Sequence, residues 1–335
     1  MVKRNLITLR KSIMNNQLIS VAMCTYNGEK FIKEQLDSIL SQTYKNIELI
    51  ITDDTSSDDT VAIIQEYQKK DSRITLYENE TNLGFLKNFE KSISLCSGDY
   101  IALADQDDIW NKNKLELFMN NIQENVLIYS DAIIIDKESK EVGTQLIRPK
   151  SNLCDGRCNK AFFLNNFISG NTMMFKTELR EHILPIPEQM SYHDIWIGYV
   201  ASTYGAITYT DEPMTYYRKY EGQVTHQGDV IPKSIIKRLQ YKRNLRLKVA
   251  KIRIKDIEAF LSLSILKDSD TIRLLNLLLE HYTNYEKIYF NFKLYKILKK
   301  YTQEVFCSIR ESKRNRRAFR NAVGLRLKEL SFFIL

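Results

Sequence analysis

Short, mainly apolar runs, of which Tyr100–Ala104 is uninterrupted, alternate with stretches whose apolar residues recur every three or four positions, from Ile19 to Tyr129. Runs of the first kind read as strands buried on both faces, and the second kind as helices packed against them. The strands are Ile19–Cys24, Ile47–Thr52, Ile74–Tyr77, Tyr100–Ala104 and Val126–Tyr129. Between them lie a helix over Glu29–Gln42 with Ile32, Leu36, Ile39 and Leu40 on one face, a second marked by Val61, Ile64 and Tyr67, and a third over Phe85–Leu95 with Phe89 and Ile93 inward. This order predicts an α/β fold with a mostly parallel, doubly wound sheet.

In open α/β sheets ligands sit outside the carboxyl ends of the strands. Three strands end in polar clusters: Thr25-Tyr26-Asn27-Gly28, Asp53-Asp54 followed by Ser57-Asp58, and Asp105-Gln106-Asp107-Asp108. Carboxylates crowded at one strand end raise the cost of ionising one another. A divalent cation relieves that repulsion, and hard oxygen ligands with room left for phosphate suit Mg2+ or Mn2+. The plainer reading is a solvated acidic loop capping a helix that begins near Asn111. A nucleotide would use all three clusters: an aromatic ring for the base, carboxylates for a base N–H and the ribose, and another for a metal on the diphosphate, with Lys87 assisting. The glycine-rich phosphate loops of other nucleotide folds, G-x-x-x-x-G-K-[ST] and G-x-G-x-x-G, are absent.

Charge divides the chain. Residues 231–335 carry 25 Lys and Arg against 9 Asp and Glu, whereas residues 1–230 carry 24 against 32. An acidic body with a basic tail argues against a nucleic-acid-binding catalytic core, since the tail alone would neutralise phosphate. The length of 335 residues fits one large domain with an appendage, or two domains. The cysteines, Cys24, Cys96, Cys154, Cys158 and Cys307, show no disulfide-framework spacing. The C-x3-C pair has no second Cys or His pair beside it, so a reduced cytoplasmic setting without zinc is expected. Met1–Gln17 reads as an extension without the apolar core of a signal peptide, and no apolar run is long enough to span a membrane.

The motifs, taken together and in order, resemble glycosyltransferase family 2, and within it bacterial rhamnosyltransferase-type members of surface polysaccharide synthesis. The matching stretches are Thr25-Tyr26-Asn27-Gly28, Glu34 to Tyr44, Asp53-Asp54 with Ser57-Asp58, Asn82-Leu83-Gly84, Asp105 to Trp110, Tyr129-Ser130-Asp131, Ser169 to Met173, His193-Asp194-Ile195-Trp196 and Tyr217-Arg218. They span Ile19 to about Gly228, so the chain divides into an N-terminal extension (1–17), a catalytic domain of GT-A fold (18–230) and a helical basic region (231–335).

The resemblance implies an inverting transfer from a nucleotide-diphospho-sugar, with Mg2+ or Mn2+ as cofactor. It assigns Tyr26 and Asp54 to the nucleobase, Asp105 to the ribose, Asp107 to the metal and Asp194 to the catalytic base. Thr25, Asn27, Asn82, Lys87 and Gln106 fall on the donor side, and Gly170, Asn171, His193 and Trp196 on the acceptor side. Asp194 also reads as an acid at a helix N-terminus, and His193 as a partly buried ring. Related sequences commonly carry a histidine, which can ligate the metal, where this chain has Tyr220; His226 is the candidate substitute. dTDP-L-rhamnose is the implied donor, with UDP-hexoses and UDP-N-acetylhexosamines as alternatives, and the implied acceptor is a lipid-linked saccharide.

After residue 231 apolar and basic residues share helical spacing, as in Ile235, Ile236, Leu239, Leu245, Val249 and Ile252 beside Lys237, Arg238, Lys242 and Arg246. Such helices can lie on an anionic membrane surface, which implies peripheral association with the inner face of the cell membrane. Alternatively they pack on the body with a solvated basic exterior, or mediate a homo-oligomer, and Ser331–Leu335 could dock on lipid or a partner. Two other classes compete. A nucleotidyltransferase would start from a glycine-rich basic loop, and a nucleic-acid-binding protein would leave the acidic clusters without a role.

Overall fold

The computed structural model describes residues 17–146, 153–221, 223, 234–263 and 268–330. His226, the N-terminal extension up to Asn16 and Ser331–Leu335 lie outside the described residues. The strands are β1 (Ile19–Thr25), β2 (Ile47–Asp53), β3 (Ile74–Glu78), β4 (Tyr100–Asp105), β5 (Ile109–Trp110), β6 (Leu127–Ile135), β7 (Glu141–Gln145), β8 (Met173–Lys176) and β9 (Ile207–Arg218). The helices within the span of the sheet are α1 (Ile32–Leu40), α2 (Thr60–Gln68), α3 (Phe85–Leu95), α4 (Lys114–Ile122), α5 (Arg180–Ile183) and α6 (His193–Tyr204). They are followed by α7 (Ile235–Ser262), α8 (Ser269–Thr283), α9 (Phe292–Lys300), α10 (Thr302–Val305), α11 (Glu311–Ala322) and α12 (Leu325–Leu330).

The sheet runs β3-β2-β1-β4-β8-β6-β9-β5, with β7 added to β6. β1 to β4 are parallel to one another, β8 is antiparallel to both β4 and β6, and β9 runs parallel to β6. The sheet is thus mostly parallel, as expected, with β5, β7 and β8 reversed. The register sets Thr25 beside Asp53 and Cys24 beside Asp105, so the polar ends of β1, β2 and β4 meet along one edge.

Each central strand feeds two cores, because successive side chains point to opposite faces. On one face Val21, Met23, Leu49, Ile51, Ala102 and Ala104 pack with α1, α2 and α4 through Leu36, Ile64 and Phe118. On the other, Ala22, Ile50, Ile101 and Leu103 pack with Phe89 and Ile93 of α3 and with α6. That second cluster continues without a break into the C-terminal helices, through Ile257 and Phe260 of α7, Leu274 and Leu278 of α8, and Phe306. Polar contacts reinforce the join. Arg253 donates to the carbonyls of Phe163 (3.3 Å) and Leu164 (2.5 Å), and Asp256 accepts from the Ser191 amide at 3.0 Å.

One expectation fails here. Cys154 and Cys307 form a disulfide, with sulfurs 2.15 Å apart. The partners are separated by 153 residues, so local spacing could not reveal a pair that only the docking of the C-terminal helices brings together. Cys24, Cys96 and Cys158 remain thiols.

Candidate active site

Donor-side residues cluster where β1, β2 and β4 end. Tyr26 is half exposed, while its backbone is clamped: Gln106 accepts from the Tyr26 amide at 2.8 Å and donates to its carbonyl at 2.9 Å. Asn27, at φ 50°, accepts from the Ser57 amide at 2.8 Å and so fastens the β1 loop to the β2 loop. Thr25 donates to the Asp53 carboxylate at 2.8 Å. The Asp54 carboxylate is buried and accepts from the amides of Leu83 (2.7 Å) and Gly84 (2.8 Å) and from Asn79 (2.8 Å). Asn82 donates to the Asp54 carbonyl at 2.9 Å. Asp54 therefore holds the loop before α3 against the end of β2. Lys87 pairs with Glu90 at 3.1 Å, one helical turn along α3.

The acids that end β4 have different environments. Burial, followed by the charges of Asp107 and Asp194, pushes Asp105 up to about 7. Asp107 is raised mainly by burial, against hydrogen bonds from Tyr220 and Gln223, the latter at 3.2 Å. Tyr220, standing where relatives commonly have histidine, thus meets the carboxylate assigned to the metal. Asp108 is fully buried and accepts from the Arg218 amide at 3.0 Å and from Asn171. Its role is to join the end of β4 to β9 and to the turn before β8.

The chemistry of the donor set fits a hard divalent cation. The Arg218 charge favours the ionised form of the Asp107 carboxylate without a salt bridge to it among the described residues, and Mg2+ or Mn2+ needs only one or two carboxylates when phosphate and water complete the shell. No cluster of three His, Cys, Asp or Glu forms a metal cage among the described residues.

Asp194 sits in the first turn of α6 and accepts from the Ile195 amide at 2.7 Å, with Asn166 and the Gly170 amide also on its carboxylate. Burial outweighs those bonds and pushes it up to about 6, within the range of a general base at neutral pH. Its neighbour His193 is buried, stacked on Phe89 with centroids 4.0 Å apart, and held near 3 by burial, so the ring is neutral. Neither ring nitrogen has a partner among the described residues.

Gly170 exists as glycine for a steric reason, since a Cβ there would lie 2.5 Å from His193 Nε2. Two acceptor-side candidates turn out to be internal. Asn171 is fully buried, its amide on Asp108, and Trp196 is buried with Nε1 donating to the Ile183 carbonyl at 2.8 Å.

Two buried cations went unassigned in the sequence. Lys114 is completely buried, donates to the Asn171 carbonyl (2.6 Å) and Thr215 Oγ1 (3.1 Å), and lies 3.6 Å from the Trp110 ring centre. Burial holds its ammonium well below the usual lysine range, against the charges of Asp108 and Asp105. A lysine on the apolar stripe of α4, with Leu115, Phe118 and Ile122, was the signal that could have found it. Arg218 is also fully buried. It donates to the Asp107 carbonyl at 2.7 Å, pairs with Glu34 at 3.2 Å and lies over the Phe31 ring at 4.4 Å. The acids and these two cations form one hydrogen-bonded and electrostatic unit.

Comparison with known proteins agrees with this geometry. The sequence model described as "Glycosyl transferase family 2" matches residues 20–184, which contain all three strand-end clusters. An uncharacterized glycosyltransferase of Haemophilus influenzae is 30% identical over 286 residues, covering 82% of this chain and 88% of that one. An Escherichia coli protein named UDP-Glc:alpha-D-GlcNAc-diphosphoundecaprenol beta-1,3-glucosyltransferase WfgD is 38% identical over 128 residues, 38% of this chain and 50% of its own. Among solved structures, S. aureus TarS 1–349 in complex with UDP-GlcNAc aligns with TM-score 0.58 at 18% identity, covering 95% of this chain and 92% of that one. The mannosyltransferase PcManGT of Pyrobaculum calidifontis, in complex with GDP-Man and Mn2+, aligns with TM-score 0.52 at 14% identity, covering 95% and 79%. These two likenesses establish the fold as GT-A. With a relative matched along most of both chains and the family's region spanning the acidic strand ends, the chain belongs to glycosyltransferase family 2 and is a glycosyltransferase.

Proposed function

We propose that the protein transfers a sugar, with inversion, from a nucleotide-diphospho-sugar to a hydroxyl of a growing lipid-linked bacterial surface polysaccharide. The observation that carries this reading is the convergence of Asp105, Asp107 and Asp194, close enough for the charges of the last two to raise the first, at the strand ends that also carry the half-exposed Tyr26. Tyr26 stacks on the base, Asp54 offers it a carboxylate already oriented by the Leu83 and Gly84 amides, and Asp105 accepts from the ribose. Asp107 would hold Mg2+ or Mn2+ together with the donor's diphosphate, where the ion supplies Lewis-acid relief of the charge growing on the leaving group. Asp194 takes the acceptor hydroxyl proton as that oxygen bonds to the anomeric carbon and the bond to the diphosphate breaks on the opposite face.

The family subgroup that the motifs resemble favours dTDP-L-rhamnose as donor. A second reading, UDP-hexose or UDP-N-acetylhexosamine, draws support from the UDP-Glc in the name of the Escherichia coli relative and the UDP-GlcNAc bound to TarS. The same relative's diphosphoundecaprenol-linked acceptor supports a lipid-linked acceptor here.

The test is nucleoside diphosphate release from dTDP-, UDP- and GDP-sugars, with Mg2+, Mn2+ or EDTA, by the parent and by Asp107→Ala and Asp194→Ala. The expected result is metal-dependent release from one donor class, lost in both variants. Absence of release from every donor, with no donor-induced rise in Tm, would sink the reading, and full activity in Asp194→Ala would remove that residue as the base.

A further inference from the structure

Far along the chain from the acidic site, α9, α11 and the residues before α9 build a surface that the transfer reaction does not use. Phe292 is 70% exposed and Phe319 47%. Their rings are joined through Phe290, which lies 4.8 Å from Phe292 and 5.0 Å from Phe319, and Tyr295 closes the knot at 6.0 Å from Phe319. The base of the knot is fixed, because the Asn291 amide donates to the Ala322 carbonyl at 2.8 Å and the Gly324 amide to the Tyr289 carbonyl at 3.0 Å.

Cations surround the knot. α9 carries Lys293, Lys296, Lys299 and Lys300 and no acid, and α11 carries Lys313, Arg314, Arg316, Arg317 and Arg320 against Glu311 alone. Helical spacing sets Lys296 and Lys299 on the side of Phe292, and Arg316 one turn from Phe319. Among the described residues, Lys293, Lys296, Lys299, Lys313, Arg316 and Arg320 form no salt bridge. Exposed aromatic rings held rigidly within a field of unpaired cations mark a docking surface.

We propose that this surface docks on an anionic lipid bilayer, seating Phe292 and Phe319 at the level of the headgroups and the lysines and arginines on lipid phosphates. A bilayer offers both chemistries at once. The rings favour lipid over stacked bases, since they pack against each other at 36° to 84° as a single knob rather than as separate flat platforms. The inference gives the lipid-linked reading its place on the protein, and its test uses no catalysis, so the two can fail separately.

The experiment is co-sedimentation of the full chain with phosphatidylcholine vesicles, with and without phosphatidylglycerol, at low and high salt. The parent should bind the anionic vesicles, release with salt and bind neutral ones weakly. Phe292→Ser/Phe319→Ser should lower affinity at least tenfold on both vesicle types, consistent with the apolar area withdrawn. Lys296→Glu/Arg316→Glu should lower affinity at least tenfold on anionic vesicles alone. Both variants should keep the parent's Tm and its donor hydrolysis without acceptor. Absence of vesicle binding by the parent, or equal binding by both well-folded variants, overturns the proposal. So does tighter binding to single-stranded oligonucleotide than to vesicles, or a parent dimer that the aromatic variant dissolves without any change in lipid binding.

Discussion

Burial and function pull in opposite directions at Asp194. Desolvation raises its proton affinity to about 6, while the Ile195 and Gly170 amides and Asn166 stabilise the anion that a base must be. With Asp194 in the proposed role of base, the ionised form is the active one, so kcat/KM should fall as pH drops below about 6, and Asp194→Asn should lose that limb. The same variant should lower kcat by about 10² to 10⁴, with donor KM little changed. A variant that kept the limb would move the titration to another group. Lys114 calls for a different measurement. Lys114→Met removes the buried donor to the Asn171 carbonyl and to Thr215 Oγ1. Urea unfolding should show a loss of about 1–3 kcal/mol, as for buried acceptors left without their donor. A loss below about 1 kcal/mol would mean that the ammonium is not what holds that turn.

Between elements, a steric constraint joins the turn Gly170–Thr172 to the first residue of α6. His193 cannot yield easily, being stacked on Phe89 at an interplanar angle of 24°. Gly170→Ala would bring a methyl to 2.5 Å from His193 Nε2, so it should destabilise by about 1–3 kcal/mol through overpacking. His193→Ala makes room. In a double-mutant cycle the pair should therefore couple by about 1 kcal/mol or more, and additive losses would show that the two side chains do not meet.

Over the whole molecule, much of the sheet was legible because each central strand is a single, mainly apolar run that its neighbours bury on both faces. α3 has the bounds that the sequence predicts, Phe85–Leu95. β5, β8 and β9 were not legible. The first two are too short to carry a period, and Asp211-Glu212-Pro213 interrupts the third, so tertiary pairing creates all three. The acids at the strand ends stood out because packing alone does not explain them. Lys114 and Arg218 did not, because a basic residue in a sequence reads as solvated and only the fold reveals that it faces buried acids. Asn171 and Trp196, which the resemblance set on the acceptor side, have internal hydrogen-bond partners that residue type alone does not reveal.

Global stability should also record a buried imidazole distant in sequence from the reaction. His281 on α8 is fully buried without a hydrogen-bond partner among the described residues, and burial lowers it to about 4. Between pH 6.5 and 4 the unfolded chain binds a proton there that the folded chain refuses, so stability falls as pH falls, by roughly 3 kcal/mol at pH 4. His281→Leu should flatten that part of the stability–pH curve in urea titrations. An unchanged slope would assign the acid sensitivity elsewhere.

Because one apolar cluster runs from Ala22 of β1 through Phe260 and Phe306, the C-terminal helices supply one wall of the same core as the sheet. A chimera that takes this segment from a relative would set foreign side-chain volumes along that seam, and volume mismatch in a packed core costs stability.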